Sequence, residues 1–490
     1  RSRRQRAAVS TASRIRRVAG EEFLLVVLYA AFGIVFLTVF PPTLLVADSW
    51  LTLVAGREVA EHGLPSVDEL TVLGRGQTWT DQQWAAQLMA YGSHELGGHG
   101  LLAVVVALFA IGAFAIAAIA ARQLGAGPRA ILLTFFPVLL AAPWTFTIRA
   151  QVFALPLFTG LIWLLASEAR NSTRRVYLVF PLLVVWANLH GSAALAAMLT
   201  MLLGAIELAS ARGRAELRSI ALLVLSPLAL LATPYGPLDT ARYYHLLLVD
   251  PPFGRELVTE WRRSDPSWDT LVFYLLAAFA LAAVIWGRRR LTLFDMAALG
   301  LTFAGATLAI RGIPWFALSC LVLVPVALGP ALEGRMKRVP RGFDRGLSYG
   351  AVAALALVAV LALVRHDSWY LKNWPEGAVT EVRDSLTPKT RVFATSRDAD
   401  WILWRIPELR GRLAYDVRFE IYDRETFERI VRFRGEQGKR WKSLANGYGI
   451  VAVETHQEPS SHVDDFLAET GARSVYADER ITVIRRLSAP

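Results

Sequence analysis

Polar residues in this chain gather into short clusters, and uninterrupted apolar runs lie between them. The runs recur near 23–46, 101–121, 130–148, 152–167, 176–189, 192–209, 219–233, 269–286, 293–310, 313–332 and 347–364. Their lengths centre on the ~20 residues that a helix needs to cross hydrocarbon, so the pattern predicts about eleven transmembrane helices. Past residue 365 the pattern changes. Short β-rich stretches at 391–396, 412–416, 449–455, 473–477 and 480–485 alternate with helix-like ones at 398–405, 424–434 and 462–470. That alternation predicts a small α/β domain built on one sheet. The expected fold class is an α-helical polytopic membrane protein with a small C-terminal α/β domain. Residues 1–22 form a basic tail, 23–365 the membrane domain and 366–490 the α/β domain.

Charge placement orients these spans. Arginines cluster at 1–17, at Arg122 and Arg129, at Arg170, Arg174 and Arg175, at Arg212, Arg214 and Arg218, at 288–290 and at 335–345. The intervening segments 48–100 and 234–268 carry Asp48, Asp68, Asp81, Glu95, Asp239, Glu256, Glu260 and Asp265 with fewer bases. Cytoplasmic loops collect arginine and lysine, so the N-terminus is expected inside a plasma or inner membrane. An odd number of spans then places 366–490 outside. Composition agrees, with 54% hydrophobic residues, only 19% charged and a mean hydropathy of +0.39. The net charge of +11 does not indicate nucleic acid, because the bases form no aromatic-studded stripe. A single cysteine, Cys320, excludes an intramolecular disulfide and a cysteine-rich zinc site. Residues 1–20 lack the short apolar segment of a signal peptide.

The outer segment 48–100 is patterned throughout. Residues 51–62 read as an amphipathic helix stopped by Gly63 and Pro65. An extended stretch at 70–73 and a turn at 74–76 follow, then Trp79, Asp81 and Trp84 open a second helix to about Leu96. Two tryptophan-bearing helices of this kind suit a membrane interface. Asp48, at the exit of the first span, is either a general base for an attacking hydroxyl or amine or the cap of the following helix. Arg149 and Arg311 lie at the outer ends of spans, against the inside bias for arginine. A guanidinium pairs phosphate oxygens bidentately, while an internal ion pair or snorkelling would serve structure alone. His190 follows Asn188 and Leu189 in an outer turn, where it can hold phosphate, move a proton, bind a metal or bond to its own helix end. Glu260 and Trp261 combine an acceptor with an aromatic face, suited to a sugar or to interfacial anchoring. Asp68 and Asp81 also fit turn and cap roles. No compact metal signature and no Gly-rich phosphate loop occurs, and a divalent metal ion stays open as a cofactor. Asp48, Arg149, His190, Glu260 and Arg311 come from separate spans, yet all fall at one predicted membrane face.

The run Asp48-Ser49-Trp50, Gly56, Gly63-Leu64-Pro65, Asp68, Gly76-Gln77-Thr78-Trp79 and Trp84 resembles the first outer loop of the C-type glycosyltransferase superfamily. These enzymes use polyprenyl-phosphate sugars and include the protein O-mannosyltransferases and the aminoarabinose transferases of lipid A. Arg149-Ala150-Gln151, the 186–191 run, Pro234-Tyr235-Gly236, Glu260-Trp261, Arg311 and 413–418 resemble a bacterial branch of it. Ser49 stands where an Asp-Glu pair is common, and Ala150 where proline is common. The resemblance implies a membrane glycosyltransferase that moves a sugar, with inversion, from a polyprenyl-phosphate-linked donor to a glycan, lipid or protein acceptor outside the membrane. Asp48 would be its base, Arg149, His190 and Arg311 would hold the donor phosphate, and Asp81, Glu260 and Trp261 would meet the acceptor or sugar. Alternatives are a ligase or polymerase of polyprenyl-linked oligosaccharides and a transporter or flippase of lipid-linked sugars. A transporter should show repeated halves or midplane polar sites, and neither is visible in the sequence.

Overall fold

The computed structural model describes residues 22–142, 146–209, 213–249, 259–329, 341–438, 440–455 and 461–486. The basic tail ahead of Glu22, together with Arg212, Glu256 and Arg335, lies outside the described residues. Every apolar run read from the sequence contains a helix. Among the described residues six helices are long and apolar enough to cross a membrane, at Glu22–Val39, Trp84–Gln123, Ala150–Arg170, Leu271–Arg290, Ile310–Leu328 and Gly342–Leu363. Shorter apolar helices occupy Pro128–Ala141, Ala193–Leu208 and Leu293–Leu308. In hydrocarbon the backbone must satisfy its own hydrogen bonds, which is why unbroken apolar sequence folds this way. This is a multi-pass membrane protein.

Burial separates inner from peripheral helices. All residues of Ile313–Leu328 are buried, Cys320 among them, so this helix runs through the centre of the bundle. By contrast Arg341–Leu363 exposes Tyr349, Val352, Leu357 and Val360. An apolar exposed face on a spanning helix is one turned to lipid. The long helix from Trp84 packs through small residues, with Ala103, Ala107, Ala110, Ala113, Ala117 and Ala121 all buried. Small side chains allow close helix approach where no hydrophobic effect drives association.

The first outer loop holds two helices, as expected, with a shifted start. The first is Ala47–His62, beginning ahead of Asp48 rather than after it. Its cap is Val46, whose backbone N–H donates to the Ser49 hydroxyl at 2.9 Å. Asp48 is therefore in the first turn, a favourable place for a carboxylate beside the helix dipole, and is not the cap. The second helix opens at Trp84 and runs on into the following span as Trp84–Gln123, across a kink where Gly98 has φ +62°, open to glycine without strain. Between the two, Asp68 accepts from the Leu70 and Thr71 N–H groups and from the Thr71 hydroxyl, fixing a tight turn.

The C-terminal part contains a four-stranded sheet in the order β1-β2-β4-β3, with β1 Val392–Ala394, β2 Ile450–Glu454, β3 Arg473–Ala477 and β4 Ile481–Arg485. β1 and β2 are parallel, and β4 runs antiparallel to both β2 and β3. The crossover from β1 to β2 carries helices Ser396–Arg405 and Arg424–Arg434. The stretch 412–416, read as a strand, is an extended segment instead. Its Leu413 makes single bridges to Val392 and to Thr71, so it links the sheet to the first outer loop. Val72 N–H donates to Leu413 O at 2.7 Å and Leu73 N–H to Ala414 O at 3.0 Å.

Charges reinforce that seam. Arg418 is 2% exposed and bonds Asp68 and Asp416, both fully buried, while stacking 4.1 Å above Trp79. Arg410 pairs with Glu58 and Glu69. Arg57 donates to the Leu403 and Trp404 carbonyls at 3.0 and 3.1 Å. A buried guanidinium is tolerated only with paired carboxylates beside it, and those of Arg418 come from both segments, so the first loop and the C-terminal part are built as one unit.

Candidate active site

Short backbone contacts bring the distant candidates together. Ile148 N–H donates to Leu44 O at 2.8 Å, which seats Arg149 beside the first turn of Ala47–His62 and hence beside Asp48. Ile310 N–H donates to Arg262 O at 3.0 Å and Ser264 N–H to Thr307 O at 3.2 Å, so the turn carrying Glu260 and Trp261 lies along the segment carrying Arg311. Ala85 N–H donates to Asn188 O at 3.2 Å, and Trp84 Nε1 to Asn188 Oδ1 at 3.0 Å, holding the His190 turn against the second loop helix.

At the centre is Arg149. Its Nη1 donates to Glu260 Oε1 at 2.6 Å and its Nη2 to Glu260 Oε2 at 3.0 Å, a bidentate pair. The same Nη2 reaches Asp48 Oδ2. Burial opposes ionisation of Glu260, but the Arg149 charge outweighs it and holds the carboxyl below its usual range. The three side chains remain partly open, at 21% for Arg149, 36% for Asp48 and 42% for Glu260. The sequence leaves Arg149 either a phosphate or an internal ion pair as its partner. In the structure its guanidinium fork is engaged by two carboxylates.

Arg311 is placed differently. It is half-buried and lies 4.2 Å over the Trp261 ring, and no carboxylate among the described residues forms an ion pair with it. His190 is buried, with its ring near Trp315. Its Nδ1 accepts from the Ser192 N–H at 3.1 Å, so in the neutral ring the proton sits on Nε2. Burial, then the nearby Arg311 and Arg149 charges, push the His190 pKa down to about 3. Arg311 and a neutral His190 thus offer N–H donors without a carboxylate of their own.

The expected sugar-contacting residues divide. Glu260 is bound to Arg149, and one face of Trp261 is covered by Arg311. Asp81 is buried at the mouth of the second loop helix, where its Oδ1 accepts from the Gln83 N–H at 3.3 Å. Burial pushes its carboxyl up to about 7, against hydrogen bonds from Gln83 and Gln87.

Two contributors escaped the sequence reading. Tyr243 comes from a helix, Gly236–Leu248, whose mixed polar sequence carries no span signal. Its hydroxyl lies against the Gly191 position, leaving no space there for a Cβ. Asp400, in the helix that packs on Ala47–His62, is fully buried near Asp416, Arg418 and Asp48, and burial pushes its carboxyl well above the usual range.

A metal ion does not fit this donor set. Among the described residues no group of three or more His, Cys, Asp and Glu side chains is arranged to hold one. The two converging carboxylates are already bridged by the Arg149 cation, and His190 directs its Nδ1 lone pair at Ser192.

No protein-family model and no curated protein sequence matches the chain. Solved structures do match. ArnT from Cupriavidus metallidurans bound to undecaprenyl phosphate aligns over 94% of this chain and 97% of its own, with a TM-score of 0.54 and 15% identity. The archaeal oligosaccharyltransferase AglB from Archaeoglobus fulgidus, in complex with an inhibitory peptide and a dolichol-phosphate, aligns over 91% of this chain and 71% of its own (TM-score 0.51, 14% identity). The mycobacterial arabinofuranosyltransferase AftD aligns over 94% of this chain and 41% of its own (TM-score 0.54, 14% identity). At such identities the likeness is one of architecture, and it extends along nearly the whole chain. The chain has the GT-C fold of the C-type glycosyltransferases.

Proposed function

We propose that this protein is a membrane glycosyltransferase that moves a sugar from a polyprenyl-phosphate-linked donor to an acceptor outside the membrane, inverting the anomeric centre. Two fold neighbours were solved with undecaprenyl phosphate and with a dolichol-phosphate, which supports a lipid phosphate as the donor's leaving group. The observation that carries the reading is the pairing, in one site, of a guanidinium with no carboxylate partner among the described residues, Arg311, and a carboxylate held by a second guanidinium, Asp48 on Arg149. The first suits the phosphate; the second suits a base.

In this scheme the acceptor hydroxyl attacks the anomeric carbon while Asp48 takes its proton. The bond from that carbon to the phosphate oxygen breaks in the same displacement, and the polyprenyl phosphate departs with the electron pair. Arg311 and the Nε2–H of His190 stabilise the negative charge that grows on the phosphate. Arg149 holds the Asp48 carboxylate in place, acting as a positioning residue with Glu260 as its counterweight. Residues 366–490 lie on the acceptor side, outside the plasma or inner membrane, and the arginine clusters lie inside.

The test is transfer by the full chain in nanodiscs, from a panel of short-chain polyprenyl-phosphoryl sugars to methyl glycosides. Asp48→Asn should retain undecaprenyl phosphate binding and lose ~10²–10⁴-fold in turnover, the usual effect of removing a general base. Near-normal turnover in Asp48→Asn would remove Asp48 from the chemistry, and the absence of transfer with every donor would overturn the function.

A further inference from the structure

The seam between the first outer loop and the C-terminal part holds a cavity of about 420 Å³, a size common among ligand pockets. One wall is the stretch 66–79, folded back on itself by the bridge from Val67 to Thr78 and by the Gly76 N–H, which donates to Asp68 O at 2.9 Å. The other wall is the turn 410–412, where the Gly411 N–H donates to Leu70 O at 2.9 Å. Gly76 and Gly411 both line the cavity, at φ +79° and +70°, backbone that favours glycine and leaves the space open. Val67 is apolar. The other lining side chains, those of Asp68, Glu69, Arg75, Arg410 and Arg412, are charged.

These charges do not cancel. The Asp68 carboxylate is buried and taken up by the Thr71 hydroxyl and Arg418. Arg410 binds Glu69 at 2.6 Å and also Glu58, which is not in the lining, at 2.5 Å. Arg412 donates to the Thr387, Pro388 and Glu408 carbonyl oxygens at 2.7–3.2 Å. Arg75 is exposed. Neither Arg75 nor Arg412 has a carboxylate partner among the described residues. Carbonyl oxygens bear no net charge, so two cations share one polar cavity without counter-ions. The junction does not need Arg75, because Arg57, Arg410 and Arg418 already join the two segments. An oxyanion between two guanidiniums would relieve their repulsion and take charge-assisted bonds from both.

We propose that this cavity binds an acidic carbohydrate, with a carboxylate or phosphate of the ligand held by Arg75 and Arg412 and ring hydroxyls donating to Glu69. The proposal rests on the glycosyltransferase reading and adds a property of the acceptor to it. Glu58, which Arg410 binds, stands ten positions past Asp48 on the helix Ala47–His62, roughly 15 Å along its axis. The sugar that reacts at Asp48 is therefore not the one held here. The cavity takes a more distant acidic unit of an extended acceptor. Its charged lining would leave a polyprenyl tail in water, which separates this site from that of the donor.

The test is calorimetric binding to the full chain in phosphatidylcholine nanodiscs, with a galacturonic acid trimer, a neutral galactose trimer and inorganic phosphate as probes. The acidic trimer should bind ~10-fold or more tightly than the neutral one, as a hydrogen bond to a charged group allows, and salt should weaken it. Arg75→Gln should abolish that preference and leave undecaprenyl phosphate affinity unchanged. Val67→Trp, which places bulk in the cavity, should lose both trimers with an unchanged melting temperature. Equal binding of the two trimers would overturn the proposal, and so would full binding of the acidic trimer by either variant. Inorganic phosphate that displaces the acidic trimer at equal concentration would overturn the carbohydrate and leave a site for free oxyanions. If the native chain transfers no sugar from any donor, the transferase reading fails by itself, and the binding measurement still decides whether the cavity takes an acidic sugar.

Discussion

Neutralising Glu260 should strengthen, not weaken, the binding of a lipid phosphate. In the structure Arg149, Asp48 and Glu260 together carry one excess negative charge, and Arg311 brings the group to neutrality because His190 is uncharged. Glu260→Gln keeps the shape of the side chain and one acceptor for Arg149, removes the repulsion of an arriving phosphate, and frees part of the guanidinium fork. With a phosphate taken roughly 7 Å from the carboxylate, the repulsion is ~2 kcal/mol at an effective dielectric of about 20. Glu260 is 42% exposed, so solvent screens about half of this, leaving ~1 kcal/mol or roughly a fivefold gain in affinity. The assay is competition of undecaprenyl phosphate against a fluorescent short-chain polyprenyl phosphate in nanodiscs. Arg311→Ala is the matching loss, expected to weaken binding by ~10–100-fold through a lost charge-assisted bond. Weaker binding in Glu260→Gln with an unchanged melting temperature would refute the argument, since it would mean that Glu260 holds Arg149 in a phosphate-binding pose and does not compete with the ligand.

Three further outcomes follow. Arg418→Met leaves Asp68 and Asp416 buried without their cation and should cost ~3–5 kcal/mol, read as a lowered melting temperature in detergent; an unchanged melt would mean that water reaches the network. Burial raises the Asp81 carboxyl from 3.8 to about 7, so the folded chain keeps a proton that the unfolded chain releases, and stability falls as pH rises through that window by at most ~4 kcal/mol. Asp81→Asn should therefore melt like the parent near pH 4 and higher above pH 7, and parallel melting curves would show that the carboxyl is hydrated. For topology, Glu425→Cys should react with an impermeant maleimide on intact cells and Arg289→Cys only after permeabilisation, and the reverse pattern would invert the proposed orientation.

The spans were legible because lipid leaves apolar sequence one local solution, with the helix bonding its own backbone. No partner has to be known to read it. The five polar candidates were legible for a related reason. A charged or polar residue at the end of an apolar run is costly without a partner, and several such residues at one face must meet or face the same ligand. Which of them pair was not legible. Arg149 and Glu260 are 111 positions apart, and nothing local to either distinguishes a partner in the protein from a phosphate. The start of the first loop helix was missed because a side-chain cap was sought. Val46 offers none, and Ser49 closes the turn from inside the helix. The helix Gly236–Leu248 was missed because Asp239, Arg242, Tyr243, Tyr244 and His245 break any apolar stripe.

The C-terminal contribution shows where sequence reading loses its hold altogether. Arg418 sits in a run that reads as strand and turn, and its acidic neighbour Asp416 is a sufficient local explanation for it. Only the fold brings in Asp68 from the first loop, 350 positions away, and turns an ordinary local pair into a buried junction. That junction holds the turn Phe419–Ile421 against the first loop, where Ile421 packs at Gly74. A base has to be held by elements that do not move relative to its substrate, and a buried guanidinium that bonds Asp68 and Asp416 ties the C-terminal part to the loop that opens with Asp48. If the junction serves this purpose, Arg418→Met should raise the acceptor KM at temperatures well below its melt while leaving undecaprenyl phosphate affinity intact. Loss of both together would leave the junction with a purely structural role.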